Sequence, residues 1–323
     1  MGTEKMKTDN NLLSMKGIDI SFPGVHALNH VDFTLRSGEI HAVMGENGAG
    51  KSTLIKVLTG VYHMDEGSIF MDNNPIVISS PQDTQKYGIN TVYQEINLCA
   101  NLTVAENLYL GLEPRTFGTI NWKKMNHDAA ELLEKLNIAA HPTMQLDNYS
   151  IAIQQMIAIA RAVSIHCKVL ILDEPTSSLD ADEVEKLFNL MRQLKNQGVS
   201  IIFITHFLEQ VYAVCDRITV LRNGELVGEY ETEKLPRLAL VGKMMGKELD
   251  DLANLTIEKE TLTETGKEEA FLEANDLSSG LSKIAPFNIK INKGEVIGFS
   301  GLLGSGRSER VRSIYGADQA VPG

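Results

Sequence analysis

Apolar and polar positions alternate along residues 16–44, and the alternation predicts three strands: Ile18-Asp19-Ile20-Ser21-Phe22, Val31-Asp32-Phe33-Thr34-Leu35, and Ile40 to Met44. Pro23-Gly24 and Ser37-Gly38 break them. A helix starts at Leu54-Ile55-Lys56-Val57-Leu58, and β character returns at Gly67 to Asp72, at Val77-Ile78 and at Ile89 to Glu95. From Thr103 to about Ala140 the pattern turns helical: Leu132, Leu133, Leu136 and Ile138 crowd one region, with Glu131, Glu134 and Lys135 between them. Residues 153–163 predict another helix, with Met156, Ile157, Ile159 and Ala160 at helical spacing. Residues of about 100–160 therefore form a helical insertion between core strands. Two unbroken apolar runs, Val169 to Leu172 and Ile201 to Ile204, predict buried strands. The helix between them carries Val184, Leu187, Phe188, Met191 and Leu194 on one face and stops near Gly198. Ile218 to Val227 predicts a hairpin around Asn223-Gly224. The class is α/β.

At 323 residues the chain has room for about two domains. No apolar run approaches a bilayer span. The polar start, Met1 to Lys7, lacks an apolar signal core, which argues against export. Cys99, Cys167 and Cys215 lie far apart and form no metal-ligand spacing, so they read as reduced structural thiols. The net charge of −12 argues against an electrostatic grip on nucleic acid.

The chemistry concentrates in Gly45-Glu46-Asn47-Gly48-Ala49-Gly50-Lys51-Ser52-Thr53, which fits G-x-x-x-x-G-K-[ST] without departure. A predicted strand precedes it and a predicted helix follows, the context of a phosphate-binding loop. Glycines let the backbone turn N–H groups around an anion, and the helix N-terminus adds unpaired donors. Lys51 would reach the terminal phosphates of a nucleotide, and the Ser52 hydroxyl would ligate Mg2+. The run Val169 to Leu172 ends in Asp173-Glu174, delivering two carboxylates to the C-terminal strand edge, where ligands bind in open α/β sheets. Asp173 would hold the Mg2+ shell, and Glu174 would act as general base or orient the attacking water. Phe22, just before a Pro-Gly turn, either stacks on an adenine ring or belongs to the core; spacing does not separate the two. Gln94 ends a strand and His206 ends another, places from which an amide can reach the metal and an imidazole a γ-phosphate. Surface roles are the commoner fate of such residues.

The tail repeats the head. Gly38 to Gly67 aligns without a gap on Gly294 to Gly323, and Gly45, Gly48, Gly50, Ser52 and Gly60 recur as Gly301, Gly304, Gly306, Ser308 and Gly316. Lys51 becomes Arg307. Val31 to Leu35 is echoed by Phe287 to Ile291. The second copy has no Asp-Glu strand and no histidine strand. The expected domains are a first unit at 1–249, an acidic, threonine-rich linker at 250–269 and, at 270–323, the N-terminal fragment of a second copy cut short.

The set Gly45 to Thr53, Gln94, Asp173-Glu174, Ser178-Leu179-Asp180 and His206 resembles the ATPase domain of ABC transporters over about residues 12–247. The resemblance implies a P-loop NTPase core with an antiparallel β subdomain and a helical subdomain. It makes Phe22 the adenine-stacking aromatic, Gln94 a metal and water contact that senses coupling, His206 a γ-phosphate contact, and Asp180 part of the nucleotide site. The family's Leu-Ser-Gly-Gly-Gln signature appears as Tyr149-Ser150-Ile151-Ala152-Ile153, in which only Ser150 matches. Duplicated sugar-importer ATPases show a similar departure and a similar arginine in the second loop, and the galactofuranose type is the most similar. The resemblance implies ATP and Mg2+ as ligands. It implies membrane permease subunits, a second ATPase domain or dimer partner and, indirectly, a periplasmic or extracellular sugar-binding protein as partners. The place it implies is peripheral, on the cytoplasmic face of the cell membrane. With the signature opposite the intact loop missing, this chain is expected to bind ATP yet turn it over weakly. The alternatives are a non-catalytic nucleotide-binding module and a non-transport ABC ATPase.

Overall fold

The computed structural model describes residues 11–95, 97–246, 270–279, 285–301, 305–317 and 320–321. The linker expected at 250–269 lies outside the described residues. Contacts divide the chain into two units, Met1–Asn254 and Leu255–Gly323.

The first unit opens with β1 (Asn11–Phe22) and β2 (Val25–Arg36), both longer than the alternation predicted, joined at Pro23-Gly24. Next come β3 (Ile40–Met44), helix α1 (Lys51–Leu58), β4 (Glu66–Met71) and β5 (Asn74–Ile76). The strand expected at Val77-Ile78 is instead Asn74–Ile76. It is the outer strand of the antiparallel sheet β2-β1-β4-β5, and its pairing with β4 ends at Ile76. Pro75 is tolerated there because an edge strand can leave one N–H side unpaired.

Helix α2 (Pro81–Lys86) and strand β6 (Ile89–Val92) follow. The helical insertion contains α3 (Val104–Tyr109), α4 (Trp122–Lys135) and α5 (Ile151–Val163). It is not helical throughout. A hairpin of β7 (Arg115–Thr116) and β8 (Thr119–Ile120) separates α3 from α4. Gly111, Pro114 and Gly118 interrupt the helical period there. Then come β9 (Val169–Asp173), α6 (Ala181–Asn196), β10 (Ser200–Ile204), α7 (Leu208–Val214), β11 (Arg217–Arg222), β12 (Glu225–Glu231) and α8 (Arg237–Met245).

The second sheet has the order β12-β11-β3-β10-β9-β6, and all its pairings are parallel except that of the β11–β12 hairpin. Because successive side chains point to opposite faces, its strands supply two cores. Val43, Ile171, Ile202 and Ile204 face α1 and the antiparallel sheet. Ala42, Leu170, Leu172, Ile201 and Phe203 face the helices α3 to α6. Every residue of β3 and β10 is buried, so Ile201 to Ile204 is a continuous apolar run and β3 is interrupted only by the buried His41. Each fully buried Leu, Ile or Phe contributes about 1.5–3 kcal/mol, which fixes the register of the strands that carry the site.

The second unit contains β13 (Ala270–Ser279), β14 (Phe287–Asn292), helix α9 (Arg307–Tyr315) and β15 (Ala320–Val321), with sheet order β14-β13-β15. Gly306 precedes α9 with φ 80°, as Gly50 precedes α1 with φ 102°. Gly316 ends α9 at φ 79°, and Gly60 follows α1 at φ 69°. Gly304 lies outside the described residues. Residues 296–300, the counterpart of β3, form no strand. In the first unit β3 is held between β10 and β11, and the second unit offers no such neighbours among its described residues.

Candidate nucleotide site

The loop between β3 and α1 is set by three glycines. Gly45, Gly48 and Gly50 have φ of 154°, 83° and 102°. A Cβ at Gly45 would lie 2.3 Å from the Leu221 carbonyl oxygen, and one at Gly50 would lie 2.7 Å from Leu28 Cδ2. The backbone therefore approaches β11 and β2 as no other residue could. Gly224, in the β11–β12 turn, donates its N–H to the Ala49 carbonyl at 3.1 Å, while Asn29 N donates to the Gly224 carbonyl at 2.8 Å. The Asn223-Gly224 turn thus braces the glycine loop, a support that the motif itself does not announce.

Helix α1 starts with no side-chain cap and no acidic residue in its first turn. Its leading N–H groups are left for an anion. Lys51 Nζ donates to the carbonyls of Gly45 at 2.7 Å and Glu46 at 2.9 Å. Burial lowers its pKa, and the negative charges of Glu174 and Asp173 oppose that shift. Ser52 stands exposed beside it, and Asn47 is exposed in the loop.

Strands β9 and β10 run parallel with Asp173 opposite Ile204, so both chains leave the sheet at one edge. Burial first, then the like charge of Glu174, raises the pKa of Asp173, against Lys51 and Lys56. Glu174 takes a left-handed φ of 46°, and its N–H donates to the Ile204 carbonyl at 2.9 Å. Strain at a non-glycine residue of this kind collects at functional sites. The Glu174 carboxylate lies 3.2 Å from His206 Nδ1. Gln210 holds the two departing chains together: its Oε1 accepts from Thr176 Oγ1 at 2.7 Å and from Thr205 Oγ1 at 3.2 Å. Both hydroxyls are buried. Nothing in the local sequence around Gln210 points to that clamp.

Gln94 is exposed two residues past the end of β6, where Val92 pairs with Leu172, so it leaves the same sheet edge as Asp173. Phe22 is not a core aromatic. It is 37% exposed and meets Tyr62 edge-on at 5.1 Å between centroids. Lys56 of α1 lies over the Tyr62 ring at 5.1 Å. Tyr62 was not anticipated, because it follows the helix rather than the strand. Ser150 and Asp180 both serve as helix caps: Ser150 Oγ accepts from Ile153 N at the start of α5, and Asp180 forms a capping box with Glu183 at the start of α6.

The donors suit a nucleotide with a hard cation. A hydroxyl, a carboxylate and an amide are oxygen ligands of the kind Mg2+ takes, with the remainder from phosphate and water. Among the described residues no group of three or more His, Cys, Asp and Glu side chains could hold a metal alone. Beside the edge lies a cleft of about 500 Å³ lined by Tyr93, Glu95, Leu110, Leu112 and Arg161, among others.

A glycine loop between a buried parallel strand and a helix, faced by paired acids on the next strand but one, defines a P-loop nucleotide-binding domain. Residues 28–177 match the ABC transporter family. It is 49% identical over 319 residues to the fructose import ATP-binding protein FruK of Bifidobacterium longum, covering 98% of this chain and 62% of FruK. It is also 49% identical over 320 residues to the galactofuranose transporter ATP-binding protein YtfR of Escherichia coli strain K12, covering 98% of this chain and 63% of YtfR. The chain thus spans less than two thirds of these curated relatives. A nucleotide-free ATP-binding cassette from an ABC transporter superposes with a TM-score of 0.62 at 27% identity, over 68% of this chain and 91% of the cassette. The ATP-binding cassette MJ1267 gives 0.65 at 26% identity, over 73% and 98%. No helix among the described residues is long and apolar enough to cross a membrane.

Proposed function

We propose that this protein is the ATP-binding subunit of an ABC importer that hydrolyses ATP to drive uptake of a monosaccharide. The observation that carries the reading is the meeting of the Glu174 carboxylate and the His206 imidazole at 3.2 Å, on the sheet edge that also carries Asp173 and the Lys51 loop. In this reading the N–H groups of Asn47 to Thr53 and the one ammonium proton that Lys51 does not give to the loop carbonyls hold the phosphates. Phe22, with Tyr62 behind it, stacks on the base. Ser52, Asp173 and Gln94 would hold Mg2+, which would neutralise charge on the phosphate oxygens. Glu174 takes the proton of the attacking water, and His206 orients the Glu174 carboxylate and meets the γ-phosphate. Ser150 and Asp180 lie at helix N-termini, where an exposed hydroxyl and carboxylate can serve a nucleotide held across a second ATPase domain or dimer partner.

The sugar class rests on relatives named for fructose, galactofuranose and ribose import. Permease subunits would dock at the cleft beside Gln94 and Glu95, with an extracytoplasmic sugar-binding protein acting through them, and this subunit would then lie peripherally on the cytoplasmic face. The units of the chain would be a first ATPase domain at 1–249, a linker at 250–269 and part of a second, degenerate domain at 270–323. Titration with a fluorescent ATP analogue, followed by a phosphate-release assay, tests the site. Lys51→Ala should weaken ATP binding at least about tenfold, the loss of a charge-assisted contact. Glu174→Gln should keep the affinity and lose the hydrolysis. Unchanged affinity in Lys51→Ala, or unchanged hydrolysis in Glu174→Gln, refutes the assignment.

A further inference from the structure

The hairpin between α3 and α4 carries an unusual tip. Its turn residues, Phe117 and Gly118, have φ of 51° and 82°, the paired left-handed conformation of a tight hairpin turn. Asn or Gly normally occupies the first position, and an aromatic is sterically disfavoured there. No burial offsets this, since Phe117 is 103% exposed. Trp122, the only tryptophan of the chain, is 51% exposed at the start of α4, and Leu112 is exposed just before the hairpin.

Cations flank these rings in the sequence. Arg115, Lys123 and Lys124 are all exposed, and the one carboxylate between residues 110 and 127 is Glu113, 3.7 Å from Arg115. No acidic residue occupies the first turn of α4. Three cations against one carboxylate is the reverse of a chain whose net charge is −12.

The tip is held in place. Asn121 Oδ1 accepts from Lys124 N at 3.0 Å, capping α4, while Asn121 Nδ2 donates to Thr116 Oγ1 at 3.1 Å. Asn121 N donates to the Pro114 carbonyl at 2.7 Å, and Thr119 Oγ1 donates to the Thr116 carbonyl at 2.9 Å. The exposed ring is therefore presented by a braced hairpin.

An exposed aromatic tip flanked by basic side chains matches the chemistry of an anionic bilayer surface. Aromatic rings prefer the headgroup level, and Lys and Arg bind lipid phosphates while their stems cover apolar surface. We propose that residues 115–124 form a membrane-contact element, with Phe117 and Trp122 entering the interface of an anionic lipid leaflet and Arg115, Lys123 and Lys124 on its phosphates. One short tip gives a weak, reversible contact, a second anchor to whatever else holds the protein at a membrane. The inference goes beyond the transport reading and stands on the hairpin alone.

The test is cosedimentation of the full chain with vesicles of phosphatidylglycerol and phosphatidylcholine, against vesicles of phosphatidylcholine only, with Trp122 emission recorded in parallel. The chain should pellet with the anionic vesicles, less so at high salt, and Trp122 emission should shift to the blue. Phe117→Ser, and Lys123→Glu combined with Lys124→Glu, should each reduce binding at least about fivefold while ATP affinity, a control for folding that does not involve these residues, stays unchanged. Wild-type protein left in the supernatant with both vesicle types, variants that pellet like wild type, or unchanged Trp122 emission would each overturn the proposal. Capture of a protein by the hairpin without vesicle binding would overturn it too.

Discussion

Three glycines shape the phosphate loop, and the structure ranks two of them very differently. A Cβ added to Gly45 would lie 2.3 Å from the Leu221 carbonyl oxygen, about 1 Å closer than the 3.4 Å at which ordinary contact begins, and 2.9 Å from Ala49 Cβ. Leu221 cannot retreat. It pairs with Leu226 on one side, and its neighbour Val220 pairs with Met44 on the other. A Cβ on Gly48 meets nothing within 4 Å, although φ there is +83°. Gly48→Ala therefore carries only the left-handed backbone cost, about 1–2 kcal/mol. Gly45→Ala adds an overpacking cost of about 1–3 kcal/mol, for a total of about 2–5 kcal/mol. At a urea slope of about 2–3 kcal/mol/M, the midpoint of the nucleotide-free protein should fall by about 1 M for Gly45→Ala and by about half that for Gly48→Ala. Far-UV circular dichroism in urea gives both values. Gly45→Ala should also weaken ATP binding, because the loop can relieve the clash only by lifting away from β11. Equal midpoints for the two variants, or the reverse order, would refute the argument that the first glycine is required by close approach to β11.

Two further predictions concern charges. Arg217 is buried and donates to Glu39 Oε1 at 2.9 Å, to Thr34 Oγ1 at 3.2 Å and to the Glu229 carboxylate. Burial alone would raise the pKa of Glu39, but His41, the Arg36 N–H and Arg217 together hold it below the ordinary 4.5. Arg217→Ala should cost about 3–5 kcal/mol in urea unfolding at pH 7, because it strands a buried carboxylate. That penalty should shrink as pH falls below 4.5 and Glu39 takes up a proton; a penalty independent of pH would rule this cause out. Asp173 has its folded pKa raised by burial and by Glu174, so the stability its proton confers is present below its ordinary 3.8 and is lost as pH rises through the folded value. Asp173→Asn should therefore raise the melting temperature of the unliganded protein at pH 7, with a gain that narrows on acidification. A lower melting temperature at pH 7 would contradict this.

What the sequence could tell depended on how locally each feature is determined. The runs Val169 to Leu172 and Ile201 to Ile204 announced themselves because a strand buried on both faces has no polar position. The glycine loop between β3 and α1 was legible because G-x-x-x-x-G-K-[ST] sets residue types at fixed spacing. The Gln210 clamp, the Gly224 brace and Tyr62 were not legible, because each acts across tens of residues or more through contacts that only the folded chain creates. The β7–β8 hairpin was lost inside a helical pattern, since two-residue strands have no period of their own. The duplicated tail makes the same point in reverse. Its glycines reproduce the left-handed positions of the first copy at Gly306 and Gly316, which are local properties. Residues 296–300 copy the sequence position of β3 but not its strand. Val296, Ile297 and Phe299 remain exposed where their counterparts Ile40, His41 and Val43 are buried between β10 and β11. A motif can therefore carry its turn and its helix with it, but the central strand that aims the loop has to be supplied by neighbours. For that reason the catalytic reading belongs to the first loop, and Arg307 does not inherit it by alignment.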